Sequence, residues 1–235
     1  MRSLALRLAR QLGRGGKGAF RIEDVPDLSV YLKHTTGTYQ DNAMTIPAAV
    51  GDPVGGWRDQ AGGDWNPVSI ADGNRPTLQA TGLQFVSASV GYLSTANWNY
   101  PAAFTFVFRY SKTIAGNAIL YTRDGGGNYI TAQGSQVYWA TVDEVTTHSA
   151  NAAITDDGNF HTIIARKSLT TKNVRFDGSQ IINATVTLGS TGELMNSIGR
   201  YSAPVMSDMY LKYFLIFTRY ITDAEAANIE SFLAG

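Results

Sequence analysis

From Arg21 to Phe217 the apolar residues come in short β-branched or aromatic runs, separated by turn signals roughly every ten residues. That rhythm is the strongest constraint on the fold, because it belongs to antiparallel strands joined by tight turns. Leu28–Leu32 alternates, whereas Phe104–Phe108, Ala118–Tyr121 and Gln136–Ala140 read as buried strands. Phe160–Ala165, Asn173–Phe176 and Gln180–Val186 continue the series. Met209–Phe217 is the longest apolar run and predicts a central strand covered on both faces over much of its length. Asp177-Gly178 separates two runs by two residues, the strongest hairpin signal in the chain. A capping box, Thr222-Asp-Ala-Glu225, precedes Ala226, Ile229, Phe232 and Leu233 at helical spacing. Residues 22–235 are therefore expected to form a two-sheet antiparallel β-sandwich crossed by a short C-terminal helix. Residues 35–56, rich in Thr, Gly, Pro, Asn and Ala, are its expected long loop.

Charge divides the chain differently. The 235 residues carry 19 basic and 19 acidic side chains, a net charge of zero. Arg2, Arg7, Arg10, Arg14, Lys17 and Arg21 precede the first acid, Glu23, so residues 1–21 carry +6. Subtracting those six leaves 13 basic against 19 acidic groups, or −6, on the remainder. Leu4, Leu8 and Leu12 recur every four residues, and Arg7, Arg10 and Arg14 occupy another face, which predicts a basic amphipathic helix ended by Gly13 and Gly15-Gly16. Arg7 and Arg10 interrupt the apolar run that a secretory signal needs, and nothing in the segment could span a bilayer. A transit peptide, a membrane or nucleic-acid surface, a solvated helix and a docking arm are the readings of such a segment. The leucine seam beside a basic face favours an arm that gains order on a partner, since so short a helix is marginal alone.

The chemistry-bearing motifs are sparse. Absence of cysteine excludes disulfides, thiol nucleophiles and Cys-ligated zinc. His34, His148 and His161 have no metal-ligand spacing, and neither G-x-S-x-G nor a P-loop occurs. No cofactor motif is present, and a structural Ca2+ is not indicated. Retaining glycoside cleavage needs two carboxyls about 5–5.5 Å apart. Asp143-Glu144 and Asp156-Asp157 are adjacent residues, which point to opposite faces of a strand, and Asp223-x-Glu225 belongs to the helix cap. Asp59 reads as a turn residue that bonds nearby backbone, Trp57 as core or sheet edge, His161 as a satisfied imidazole at a strand start, and Asp177 as a turn residue. For sugar binding, aromatic faces beside amides are the useful combination. Trp98, Asn99 and Tyr100 are the best such cluster, followed by Trp65 in Gly63-Asp-Trp-Asn66 and by Tyr138-Trp139.

The segment Gly51-Asp-Pro-Val-Gly-Gly-Trp-Arg-Asp-Gln-Ala-Gly62, followed by Arg75-Pro-Thr-Leu78, Leu83-Gln-Phe85 and Tyr92-Leu93, resembles the concanavalin A-like, LamG-type jelly-roll family. Gly158-Asn-Phe-His161, Val174-Arg-Phe-Asp-Gly178, Ile198-Gly-Arg200 and Phe217–Glu225 are similar to that family's later strands and closing helix. The order of these motifs spans about residues 26–234. The resemblance implies a jelly-roll sandwich. Its glucanase members carry a strand-borne E-x-D-x-x-E set, and its legume-lectin members an E-x-D metal site; neither is present here. Jelly-roll chains with a short Arg/Leu-rich start further resemble tailed-bacteriophage virion proteins. That likeness implies a non-enzymatic structural or decoration protein of the virion, assembled in the bacterial cytoplasm. Its arm would dock through Leu4, Arg7, Leu8, Arg10, Leu12 and Arg14 on capsid, neck or tail proteins. The sandwich would be displayed to host-surface glycans, with homo-oligomers admitted and no nucleic-acid partner expected. A stand-alone carbohydrate-binding module is the alternative, and a divergent glycoside hydrolase the third reading.

Overall fold

The first described residues already show how the sandwich closes, because Ile22 and Val25 are buried against the chain's far end. The computed structural model describes residues 20–69, 71–89, 91–99, 101–112, 117–122, 128–142, 147–155, 157–185, 194–202 and 205–235. The predicted arm helix, with Leu4, Arg7, Leu8, Arg10, Leu12 and Arg14, lies outside the described residues.

The strands in chain order are β1 (Leu28–Lys33), β2 (Thr38–Tyr39), β3 (Gly56–Trp57), β4 (Thr77–Gln79), β5 (Gly82–Phe85) and β6 (Leu93–Asn99). Next come β7 (Phe104–Lys112), β8 (Asn117–Thr122), β9 (Tyr129–Gln133), β10 (Gln136–Val142), β11 (Thr147–Ala153) and β12 (His161–Lys167). β13 (Thr171–Phe176), β14 (Ser179–Thr185), β15 (Leu194–Ile198), β16 (Arg200–Ser202), β17 (Val205–Met206) and β18 (Met209–Phe217) precede helix α1 (Asp223–Ala234). One sheet has eight strands in the order β14-β13-β12-β7-β18-β5-β4, with β1 also pairing β18. The other has six, ordered β11-β10-β9-β8-β15-β6. All of these pairings are antiparallel, so the fold is the expected antiparallel sandwich with one C-terminal helix.

β18 shows how a continuous apolar run is used. Its register against β7 shifts between Leu211 and Tyr213. The irregularity changes the phase of the two-residue alternation. Met209 and Leu211 face the core before the shift, and Phe214 and Ile216 face it afterwards. Leu215 and Phe217 face the opposite side, where they pack with Val107, Ile164 and the helix residues Ala226, Ile229 and Leu233. Both faces are covered, as the run predicts. In the core, Phe108 stacks on its cross-strand neighbour Phe214 with centroids 4.9 Å apart, and Tyr121 of the other sheet meets Phe106 edge-on at 5.4 Å.

Helix α1 is fixed at both ends. Thr222 Oγ1 accepts from the Glu225 N–H at 3.2 Å, and Glu225 Oε2 accepts from the Thr222 N–H at 2.8 Å, completing the predicted capping box. Arg219 pairs with Glu225 at 2.9 Å and holds its carboxyl down at about 2. The nearly inaccessible Arg166 donates to Asn173 Oδ1, the Ile221 carbonyl and Asp223 Oδ1. Further along, Arg175 and Glu230 form a two-pronged pair at 3.1 and 2.9 Å. Glu230 also accepts the Gly178 N–H at 3.2 Å, tying the helix to the β13–β14 turn.

The two flanks of the sandwich end differently. On one, residues 51–69 run over the outer strands. Gly51 N–H donates to the Leu78 carbonyl at 2.7 Å, and Leu78 N–H to the Asp52 carbonyl at 2.9 Å, covering β4. Val68 exchanges hydrogen bonds with Ser94 at 2.8 and 2.7 Å, covering β6. Asp59 Oδ1 takes the Tyr31 N–H at 2.8 Å, while Gln60 N–H donates to the Tyr31 carbonyl at 2.8 Å, covering β1. Trp57 is fully buried and donates its indole N–H to the Lys33 carbonyl at 3.1 Å. The opposite flank is made by the terminal strands β11 and β14.

Candidate functional site

The site begins with a turn. Asp177 and Gly178 have φ of 44° and 85°, both in the left-handed region that a two-residue type I′ hairpin requires. Asp tolerates that conformation and Gly adopts it freely. The turn carries the Asp177 carboxylate back over the start of β12. Its Oδ1 accepts the Thr162 N–H at 2.7 Å, and its Oδ2 lies 2.6 Å from His161 Nδ1. Asp177's own N–H donates to the Thr162 carbonyl at 3.0 Å, closing a two-way bond between turn and strand.

A second loop approaches from the other side. Gly158, at φ 78°, turns the chain after Asp157. Asp157 Oδ1 accepts the Asn159 N–H at 2.9 Å and lies 2.8 Å from His161 Nε2. These bonds, those from Asn159 first and then that from His161, hold the Asp157 carboxyl down at about 2. The imidazole is thus bracketed by two carboxylates, and its face stacks on Phe176 at 4.8 Å with planes 24° apart. Arg109 donates to Thr162 Oγ1 at 3.2 Å and stands 3.8 Å from Asp177 Oδ1. Burial lowers the Arg109 pKa, and the Asp177 charge opposes that shift.

These groups line an open groove of about 670 Å3 where the ends of β11 and β14 meet. Its lining is apolar at Ala153, Ile154, Phe176 and Ile181 and polar at Thr155, Asp157, His161, Asp177 and Ser179. The side chains of Asp157 and Asp177 are 42% and 40% exposed, so their carboxylates are open to a ligand, whereas His161 at 12% is mostly enclosed. Chemically the groove offers acceptors for hydroxyl or amine donors beside an apolar lining. Both imidazole nitrogens lie within hydrogen-bond distance of carboxylate oxygens, at 2.6 and 2.8 Å. Among the described residues no group of three or more His, Asp or Glu is arranged to hold a metal.

The residues singled out from sequence fall elsewhere. Trp65 is half-buried and packs edge-on against Tyr121 and Phe214 at 5.7 and 5.5 Å, on the margin of the core. Trp98 and Asn99 lie on β6, where their backbones pair with Met195 and Leu194 of β15; Tyr100 lies outside the described residues. Asp59 behaves as a turn residue should, accepting the N–H groups of Tyr31, Ala61 and Gly63 at 2.8, 2.9 and 3.1 Å. Burial pushes its pKa up against the pull of those bonds. His161 is satisfied, as expected, and Asp177 is a turn residue. The sequence reading missed their convergence with Asp157. The available signal was the Asp-x-x-x-His spacing of Asp157 and His161, which lets a loop carboxylate reach the first residue of the next strand.

No protein-family model matches the chain, and no curated protein matches it. The fold does match solved structures. The binding domain of botulinum neurotoxin DC in complex with SialylT superposes with a TM-score of 0.63 at 14% identity, over 90% of this chain and 52% of that one. The binding domain of Paraclostridial mosquitocidal protein 1 gives 0.59 at 13% identity, over 91% and 52%. The botulinum neurotoxin type G receptor-binding domain gives 0.55 at 12%, over 88% and 51%. The chain therefore spans about half the length of these structures. At such identities the likeness concerns the fold: a β-sandwich of the kind found in receptor-binding domains.

Proposed function

We propose that the chain is a non-enzymatic glycan-binding sandwich carried on a larger assembly by its basic arm. The observation that supports the binding role is the Asp157–His161–Asp177 bridge, which presents two fixed carboxylates in an open, partly apolar groove. Paired carboxylates accept adjacent sugar hydroxyls, and the apolar lining takes the apolar face of the ring. The sandwich shared with a neurotoxin domain in complex with SialylT favours the same reading. The resemblance to LamG-type phage virion proteins supplies the assembly: residues 1–21 dock the chain on capsid, neck or tail proteins, and residues 22–235 are displayed. Stacking on Trp98 and Tyr100, with Asn99 between them in the sequence, or on the separate Trp65, is the alternative mode for the same ligand class.

A glycan array probed with the full chain tests the groove. Exchanging Asp157 and Asp177 for Asn together is expected to weaken the best ligand by about tenfold or more, since bonds to charged groups contribute about 1.5–3 kcal/mol each. Unchanged affinity in that variant, with loss in Trp98→Ala, would move the site to β6. Deleting residues 1–18 is expected to abolish incorporation into particles while leaving glycan binding intact; normal incorporation of the truncated chain would end the docking model.

A further inference from the structure

The bridge across His161 sets a donor count that one form of the ring can meet. Nδ1 lies 2.6 Å from Asp177 Oδ2 and Nε2 lies 2.8 Å from Asp157 Oδ1, so each nitrogen faces a carboxylate oxygen at hydrogen-bond distance. Ionised carboxylates only accept. A neutral imidazole has one N–H and one lone pair, whereas the imidazolium has two N–H donors. The Asp157 carboxyl is held down at about 2, so it has no proton to offer the ring. Asp177 Oδ1 accepts the Thr162 N–H at 2.7 Å and stands 3.8 Å from Arg109 Nη1, surroundings that suit a carboxylate. Among the described residues, the charged groups around the ring are Asp157 from the loop before β12, Asp177 from the β13–β14 turn and Arg109 from β7. At the turn, Arg175 and Glu230 pair with each other, and Lys212 of β18 sits over the Phe160 ring at 4.0 Å.

We infer that His161 is the positioning residue of the groove and that its second proton clasps the Asp157 loop: the charged ring holds both carboxylates, and the neutral ring holds Asp177 alone. The two anchors are unequal, which decides the side that opens. Asp177 is fixed without the ring, through the Thr162 N–H, its own N–H to the Thr162 carbonyl at 3.0 Å and the left-handed turn. Among the described residues, Asp157 is otherwise tied to Asn159, two residues along its own loop. Loss of one proton leaves the remaining N–H on Nδ1, facing the nearer and better-fixed oxygen. The Nε2 lone pair then faces Asp157 Oδ1 at 2.8 Å, and the repulsion releases residues 157–160. Histidine is the side chain whose ordinary titration falls between about pH 5 and 8, so the clasp works in the range a protein meets. Its consequence for ligands rests on the glycan reading: with Asp157 released, the groove keeps one fixed carboxylate, and affinity falls as pH rises.

Ring and amide nitrogen-15 spectra of the full chain, from about pH 5.5 to about pH 8.5, test the clasp with no glycan present. At the acid end both His161 nitrogens are expected to carry protons. At the alkaline end Nδ1 alone is expected to, and the Asn159 amide should move with the same midpoint while the Thr162 amide stays. Asp157→Asn supplies, in its side-chain amide, the donor that the neutral ring lacks. In that variant the Asn159 amide is expected to keep its bridged position at both ends, whereas His161→Ala should show the released position at both. A ring neutral throughout, a ring that keeps both protons to the alkaline end, or an Asn159 amide indifferent to the lost proton would overturn the proposal. With the best glycan of the array, wild-type affinity is expected to fall about tenfold across the same range, since one bond to a charged group is lost. Flat affinity beside a moving Asn159 amide would remove Asp157 from the glycan site and leave the clasp standing. A failed array leaves the spectra unaffected.

Discussion

The two flanks of the sandwich solve the same physical problem in opposite ways. One is sealed: residues 51–69 satisfy the outer backbone groups of β1, β4 and β6, with Trp57 and Val54 fully buried beneath. The other ends in β11 and β14, seven-residue strands without Lys, Arg, Asp or Glu, beside an acidic groove. Covering an edge stabilises a fold and forbids partners there, whereas an uncovered edge keeps both backbone and side chains available. The carboxylates follow the same division. Asp59, on the sealed flank, spends its oxygens on three backbone N–H groups and is pushed up in pKa by burial. Asp157, on the open flank, is surface-exposed and held down at about 2. One carboxylate builds structure, and the other is left facing solvent.

Breaking the seal should have the largest effect. Asp59→Ala leaves three N–H groups without their acceptor, two of them Tyr31 on β1 and Ala61 beside it. A loss of about 3 kcal/mol or more in urea unfolding is expected, at about 1–3 kcal/mol per buried unsatisfied group. The variant should also gain aggregation, as the β1 edge opens. Val68→Pro comes next. It removes the N–H that donates to the Ser94 carbonyl and uncovers β6, for an expected loss of about 1–3 kcal/mol with the remaining cover in place. A wild-type unfolding curve for either variant would show that the covering segment contributes nothing.

Acid should separate the flanks with the smallest change. Asp157 has a folded pKa of about 2, below its ordinary 3.8, so its contribution is present above about pH 4 and is lost as pH falls through 2. Asp59 is shifted the other way: its folded form takes up a proton before the unfolded chain does, so mild acid relieves the cost of its buried charge. Amide exchange between pH 5 and pH 2.5 is therefore expected to accelerate at Asn159, whose N–H is held by Asp157, before it does at Tyr31, after correction for intrinsic rates. Simultaneous loss of protection at both places would remove the electrostatic difference between the flanks.

Much of the architecture was legible because its cause is local. β18 coincides with the predicted run, β7 and β12 begin within a residue of theirs, and both the Thr222 capping box and the Asp177-Gly178 turn are where the residues place them. Long aromatic and β-branched runs advertise strands buried on two faces, and caps and turns are written in neighbouring residues. β11 was not legible. Thr-His-Ser-Ala-Asn-Ala-Ala has little strand propensity, and it is a strand because β10 supplies the other half of its ladder. The groove was hidden for a similar reason. His161 meets Asp157 four residues away and Asp177 sixteen away, and only the folding of β12 against the β13–β14 hairpin gives that spacing a chemical meaning.

The sequence by itself determined an antiparallel β-chain with a capped final helix, a tight hairpin at Asp177-Gly178 and a division into a +6 arm and a −6 body. These depend on side-chain periodicity, backbone preference and the count of charges, all of which exist before folding. The tertiary structure decided which edges are sealed, that Asp59 serves the covering segment, and that Asp157, His161 and Asp177 form one site. Strand pairing brings distant residues within hydrogen-bond range, and no local preference encodes which distant partner arrives.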